Sequence, residues 1–494
     1  MDVLSLDLEN WRTILVAVII FMITYLTTRR DKNVPPGPNR WPIIGNIGSI
    51  IGVDTLDRLA KLRRKYGDIF GVYLGSELTI FLNGYDTIHE ALVKRGTVFS
   101  KRPKNQLRGE NRVAIVFGNG QSWKDLRQFT LHAIRELCYR KTGFTLEDRI
   151  NEELSYFTEK LSSLNCTDVN LSSLITLSFA NIIYGIIHGR RVGYEDKKFI
   201  WYLDKLDEAF KRHLKTQTLN ACFPFLYYLP GDILGLQVRD TTAILNSQYF
   251  EEICKPNYDS YRAGENNCFM DYCIAAEKTS KTFQRENVWV ILHDLMAAGS
   301  ETTATTLKWV IFALAKYPAF KKKIQNKVDV VLPRDKTPSM SDKENLPYVE
   351  ATILEALRFG SVVPLSVPHA VLHDTVFQGF KIPADATILP NIYSVHFDPD
   401  IFPEPEEFRP ERFLNESETS ITGTEKLIPF SLGPRSCLGE TLARMELFLY
   451  VTTIVQKLDI QAPSGEELPS VKGIFGLTRR PQDYQVNIRI RPSA

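Results

Sequence analysis

The chain has 494 residues, 44% of them hydrophobic, with 26 prolines and a formal net charge of +2. That length supports a large buried core, in one big domain or several ordinary ones, and the near-balanced charge argues against a nucleic-acid binder. Seven cysteines, at 138, 166, 222, 254, 268, 273 and 437, show no paired framework spacing, so free thiols in a reducing compartment are expected rather than a disulfide scaffold. Cys268 and Cys273 are the closest pair, and they match no zinc-ligand spacing.

The run ILVAVIIFMITYL, Ile14 to Leu26, is uninterrupted and apolar. With its flanking threonines it makes about 24 Å of helix at about 1.5 Å per residue, short for a typical bilayer but suited to the thinner endoplasmic-reticulum membrane. Arg29, Arg30 and Lys32 follow the run, whereas Asp2, Asp7 and Glu9 precede it, with Arg12 against the trend. That asymmetry favours a signal anchor over a cleaved signal peptide and keeps the rest of the chain in the cytoplasm. The sequons at Asn165, Asn170 and Asn415 would then never meet the lumen. Residues 1–32 are read as this anchor and 33–40 as a Pro-rich linker. PPGP, Pro35 to Pro38, cannot continue a helix; it either ends the anchor or spaces a membrane-docked domain from it.

IFGVYLGSELTIFLN alternates about Gly75-Ser76 and predicts a β-hairpin. Segments 54–65, 145–163, 284–316 and 341–358 carry helical periodicity. In WKDLRQF, Trp123 and Arg127 stand at i, i+4, one donor above another on a helix. Within 284–316, Asp294, Ala298 and Thr302 fall at i, i+4 and i+8 and share a face. In AAGSETT, Gly299 and the Thr302-Thr303 pair would let the helix open locally, because threonine hydroxyls compete for backbone carbonyls. An ordinary irregularity in a core helix fits the same residues. Glu355 and Arg358 in EALR lie at i, i+3 on one face. Proline-rich loops occupy 362–436, and YQVNIRIR, Tyr484 to Arg491, alternates as a terminal strand. No phosphate loop or dinucleotide fingerprint is present, so the chain holds no flavin or nicotinamide site of a recognisable kind.

PFSLGPRSCLGE, residues 429–440, frames one cysteine with glycines, a proline and an arginine. Gly433 and Gly439 flank Cys437 where missing side chains let the backbone approach a flat ligand. A helix predicted over 438–450 puts the sulfur at its N-terminus, where the dipole and free N–H groups favour thiolate. Arg435 can pair with an anionic group on the same ligand, and Phe430 supplies a ring beneath. These features suit a thiolate on haem iron; a buried inert cysteine in a Gly-rich turn is the plainer alternative.

The pattern F-x-x-G-x-R-x-C-x-G resembles the haem-binding signature of the cytochrome P450 family. AAGSETT resembles that family's oxygen-activating segment, which implies catalytic roles for Thr302, Glu301 and Asp294, with Ala298 leaving room for a diatomic ligand. The resemblance makes Glu355, Arg358 and Arg412 (from FRPERF) a buried structural cluster. It makes Trp123, Arg127, Arg102 (SKRP), His369 (VPHA) and Arg435 binders of the haem propionates, with a satisfied loop histidine as the plainer reading of His369. It also places the substrate cavity along 100–118, 205–230 and 471–478, with Ala298, Val363, Val367 and Phe475 lining it. The likeness extends from PPGP to the final strand and is strongest to the animal microsomal drug- and steroid-hydroxylase branch.

The expected fold is therefore mainly α with a small β lobe, the cytochrome P450 fold over 41–494 behind an N-terminal transmembrane helix. The expected activity is a haem b monooxygenase reaction on a lipophilic substrate at the endoplasmic-reticulum membrane. Without a flavin site the enzyme needs NADPH–cytochrome P450 reductase, with cytochrome b5 as a second donor to consider. Lys124, Arg135, Arg140 and Lys141 cluster around the Trp123 helix as a reductase face, or as a merely solvated surface. Near 219–230 the run LNACFPFLYYLP is either an exposed apolar patch or buried core. The rivals are a haem-thiolate isomerase or dehydratase needing no external electrons, and a non-catalytic haem sensor or sterol-binding protein.

Overall fold

The computed structural model describes residues 3–28, 31–50, 52, 54–103, 114–138, 145–222, 255, 258, 268–277, 283, 285–465 and 467–492. The chain divides into two compact units. One comprises Met1–Pro103, Leu214–Gln237 and Val367–Asn391; the other comprises Lys104–His213, Val238–Ser366 and Ile392–Ala494.

The first unit holds most of the sheet. Strands Ile69–Leu74 and Glu77–Leu82 pair antiparallel about Gly75, whose φ of 60° supplies the left-handed turn residue that the hairpin needs. Strand Thr387–Pro390 adds in parallel on the second of these, and Thr375–Phe377 pairs separately with Phe380–Ile382. The N-terminal run forms helix Val3–Thr28, and every side chain from Trp11 to Met22 is exposed. Among the described residues no helix is long and apolar enough to cross a membrane. Arg29, Arg30, Arg140, Lys141, residues 104–113 and the 223–230 part of the predicted apolar patch lie outside the described residues.

The second unit is built from helices. Thr145 and Asp148 form a capping box that starts helix Leu146–Ser163, whose buried stripe is Ile150, Leu154, Phe157 and Leu161. That stripe joins a core shared with helices Ser172–His188, Arg285–Lys316, Pro347–Gly360 and Glu440–Lys457. The predicted single helix over 341–358 is two elements, a 3₁₀ turn Met340–Asn345 and an α-helix from Pro347. The break sits at Leu346, because a residue before proline is driven out of the helical region. Strand Val486–Ile490 closes the chain, pairing with Leu458–Gln461 and Asp168–Val169.

Helix Arg285–Lys316 runs without interruption through the Gly/Thr segment expected to open. The hydroxyls of Ser300, Thr302 and Thr306 donate to the carbonyls of Met296, Ala298 and Thr302, one turn back in each case, so they sit on the helix ladder without breaking it. Gly299 serves packing: a Cβ there would come within 2.6 Å of Ile183 Cδ1 on the crossing 172–188 helix.

Candidate active site

Cys437 lies two residues before Gly439, the N-cap of helix Glu440–Lys457. Ser431 and Gly433 take positive φ, 60° and 74°, and fold the loop so that the Cys437 N–H donates to the Phe430 carbonyl at 2.9 Å. Burial pushes the thiol pKa up; the Gly439 N–H and Arg127 pull it down, and Glu440 adds to the rise. The residue is nonetheless exposed, so its sulfur is desolvated by surrounding protein while still facing open space. A Cβ on Gly439 would meet nothing within 4 Å, so that flank of the loop is open too. Desolvation outweighs the helix-terminus effect that the sequence suggested. A cation bound by the sulfur would oppose that rise, because a coordinating thiol is deprotonated outright.

Two cations converge on the loop. Arg127 Nη2 donates to the Ser436 carbonyl at 2.7 Å, and burial lowers its pKa while Cys437 raises it. Arg435 Nη2 donates to the Gly118 carbonyl at 2.6 Å, and its guanidinium lies 3.4 Å from the centre of the Trp123 ring. Trp123, Arg127 and Arg435 thus come together with Cys437, Phe430, Gly433 and Gly439. Arg444, which no motif singled out, stacks over Phe430 at 5.1 Å. A soft sulfur donor facing open space, an uncovered glycine flank and two guanidiniums at the same loop fit an anionic, flat, iron-bearing group such as haem.

Arg102 and His369 belong to the other unit and meet there. Arg102 Nη1 donates to the carbonyls of Val367 and Pro368 at 3.0 and 2.8 Å, and His369 Nδ1 bonds the Phe99 carbonyl at 2.7 Å.

On the 285–316 helix the expected catalytic residues separate by face. Ala298 is exposed and Thr302 half-buried, so these two present the open face. Asp294 is buried, and its Oδ2 accepts the backbone N–H groups of Ile115 and Val116 at 3.0 and 3.1 Å. That carboxylate anchors the 114–119 loop to the helix. Glu301 is also buried; its Oε1 accepts the Thr305 hydroxyl at 2.9 Å and lies 3.8 Å from Lys308 Nζ, which donates to Thr176. Both carboxylates are committed to protein partners, a geometry the i, i+4, i+8 spacing did not reveal.

Glu355, Arg358 and Arg412 meet. Glu355 Oε1 and Oε2 accept Arg358 Nη2 and Nε, each at 2.8 Å, and Arg412 Nε lies 3.1 Å from Oε2 as a charge contact, not an aligned hydrogen bond. Arg358 also donates to the carbonyls of His396, Pro405 and Glu407, tying down the loop that leads to the cysteine.

Val363, Val367 and Phe475 are half-buried. Lys124 and Arg135 are exposed on helix Gly120–Cys138, as are the neighbouring Asp125 and Glu136, so the described part of the predicted reductase face is mixed in charge.

Comparison with known proteins agrees with this chemistry. Residues 35–488 match the family model for cytochrome P450. The chain is 34% identical to cytochrome P450 2U1 of Rattus norvegicus, over 94% of this chain and 92% of that one. It is 34% identical to cytochrome P450 2C39 of Mus musculus and to cytochrome P450 2H1 of Gallus gallus, in each case over 98% of this chain and 99% of the relative.

Proposed function

Because the chain belongs to the cytochrome P450 family of haem b monooxygenases, we propose that it inserts one atom of O2 into a lipophilic substrate, a xenobiotic, steroid or fatty acid, using NADPH electrons delivered by a reductase. The observation that carries this reading is the Cys437 sulfur, desolvated yet facing open space, with the Gly439 N–H bonded to it. When bound, haem held by the Cys437 thiolate would supply the oxygen chemistry, with the sulfur donating electron density that favours O–O cleavage.

The chain's own residues perform the rest. The Gly439 N–H holds the sulfur in place and tempers its charge. Arg127 and Arg435 supply positive charge for the carboxylates of the prosthetic group. Ala298 keeps the open helix face low. Thr302 gives its own proton to the Ala298 carbonyl, which leaves its Oγ1 lone pairs free to accept a hydrogen bond on that face. A hydroxyl so placed orients a protonated oxygen and steers where the next proton goes.

Attachment to the endoplasmic-reticulum membrane is supported by the exposed apolar surface from Ile14 to Met22, and a cytoplasmic catalytic portion by the basic Arg29, Arg30 and Lys32 that follow it in sequence.

The test is reductase-dependent NADPH oxidation with product and peroxide measured together. Thr302→Ala should keep haem content and NADPH oxidation within a few-fold, while product per NADPH falls and peroxide rises. A tenfold change in that partition corresponds to about 1.4 kcal/mol, the worth of one hydrogen bond. Turnover without external electrons would replace this reading with the isomerase one.

A further inference from the structure

Arg479 opens the second strand of a small hairpin, Ile474–Phe475 against Arg479–Arg480. The residue is 2% exposed, and its guanidinium is held by backbone carbonyls. Nε donates to Lys472 O at 3.1 Å, Nη1 to Phe359 O and Gly360 O at 2.6 and 2.9 Å, and Nη2 to Val471 O at 3.0 Å. The Arg479 N–H also donates to Val362 O at 2.8 Å, and its carbonyl accepts Trp309 Nε1 at 3.3 Å. Among the described residues no carboxylate stands within ion-pair distance of it. Burial lowers its pKa to about 10, so it keeps its charge at neutral pH.

A buried cation held by carbonyls, with Glu406 acting on it only from beyond ion-pair distance, is an expensive way to fill space, and an apolar side chain would fill it more cheaply. The surroundings are built to receive it. The guanidinium lies 4.7 Å from the Trp309 ring centre. Two glycines let two backbone segments press on that ring: a Cβ at Gly360 would come 2.8 Å from Trp309 Cδ1, and one at Gly473, where φ is +69°, would come 2.9 Å from Cζ2. One segment, 359–362, leads directly to Val363. The other, 471–475, carries Phe475.

We propose that Arg479 is a positioning residue for substrate selection: its carbonyl clasp fixes Val363 and Phe475 relative to each other and so sets which lipophilic substrates the enzyme accepts. This rests on the proposed function, in which those two side chains line the substrate space. The carbonyl geometry explains why no simpler residue serves. The three donors of a lysine radiate from one nitrogen and cannot reproduce four carbonyl contacts made from the three spread nitrogens of the guanidinium fork.

The experiment uses the full-length haem-loaded protein, as wild type, Arg479→Lys, Arg479→Leu and Gly473→Ala. The last disturbs the same junction by crowding Trp309 and leaves the charge in place. Dissociation constants are read from ligand-induced Soret shifts for saturated fatty acids of graded length, with imidazole as a small iron ligand. Amide hydrogen exchange is followed on the same samples. The expected result is a change of about tenfold in the long-to-short selectivity ratio, with imidazole affinity and haem content within twofold of wild type. Exchange should quicken over 359–363 and 471–478 and stay at the wild-type rate elsewhere. A selectivity ratio unchanged in haem-loaded variants overturns the proposal, as does a parallel loss for fatty acids and imidazole alike. Unchanged exchange in both segments overturns the clasp itself. If wild type shows no shift with any fatty acid or other lipophilic ligand, the substrate reading falls and the selection role with it, while exchange still decides the clasp.

Discussion

Glu355→Gln removes a single charge and almost no volume, which makes it a sensitive probe of the buried cluster. Glu355 and Arg358 are 0% exposed, and the Arg412 side chain is 5% exposed. The glutamine would keep one oxygen for the Arg409 N–H, which Glu355 Oε1 now accepts at 2.8 Å. It would leave two guanidiniums side by side without a counter-charge. Burial already lowers the Arg412 pKa, with Glu355 opposing the fall and Arg358 adding to it, so removing the carboxylate takes away the one large compensating influence. Breaking a buried ion pair from one side costs about 3–5 kcal/mol. Against a total stability of about 5–15 kcal/mol, that is enough to lower the urea midpoint of the haem-loaded protein sharply at constant slope. Arg358→Lys should be nearly as damaging, because one ammonium cannot serve both Glu355 oxygens and the carbonyls of His396, Pro405 and Glu407. A Glu355→Gln protein within about 1 kcal/mol of wild type would refute the claim that this cluster is a stability element. So would normal stability with lost turnover, which would move Glu355 into the chemistry.

Gly299→Ala gains about 1 kcal/mol of helix propensity but meets Ile183, at an overpacking cost of about 1–3 kcal/mol. Adding Ile183→Ala removes both the Cδ1 and the Cγ1 that a Cβ would approach to 2.6 and 2.8 Å, so the double variant should be less destabilised than the sum of the single changes; strict additivity in urea unfolding would contradict the close approach. Asp294→Asn should speed amide exchange at Ile115 and Val116 by at least about tenfold, since each hydrogen bond to a charged group is worth about 1.5–3 kcal/mol. Wild-type protection there would mean that the loop is held by other contacts. Burial, reinforced by Arg358, lowers the His396 pKa from 6.5 to about 3. The unfolded chain then takes up a proton below pH 6.5 that the folded chain refuses, and this contribution to stability is lost as pH falls. His396→Asn should therefore cut the loss of unfolding free energy between pH 6.5 and 5.5 by about 1 kcal/mol. An unchanged pH slope would show that His396 is not held neutral.

What the sequence reveals follows the reach of its covalent spacing. The hairpin about Gly75, the cysteine loop and the Glu355–Arg358 pair depend on residues a few positions apart, where backbone geometry alone decides who meets whom. Arg412 was found only through the family resemblance, because some fifty residues separate it from Arg358 in sequence, too far for local spacing to show that they meet. The face of the 285–316 helix shared by Ala298 and Thr302 was legible from periodicity. The partners of its acids were not: Asp294 is claimed by a loop that lies some 180 positions earlier, and Glu301 turns towards Lys308 and Thr176. Gly299 looked like a hinge and is a packing contact, since a glycine's neighbours across a helix crossing leave no mark in its own local sequence. Arg479 gave no signal at all. An arginine beside a second arginine near the chain end reads as surface charge until its four carbonyl partners are brought around it.

The central claim is that the Cys437 sulfur is the axial ligand of a haem iron. Cys437→Ser keeps the shape of the side chain and the closed loop but replaces a soft thiolate with a hard hydroxyl. In the ferrous carbon-monoxide complex of the full-length protein, wild type should show the strongly red-shifted Soret band of thiolate-ligated haem. The serine variant should lose that band even where it retains haem. A variant that binds haem and keeps the red-shifted band would show that another residue holds the iron.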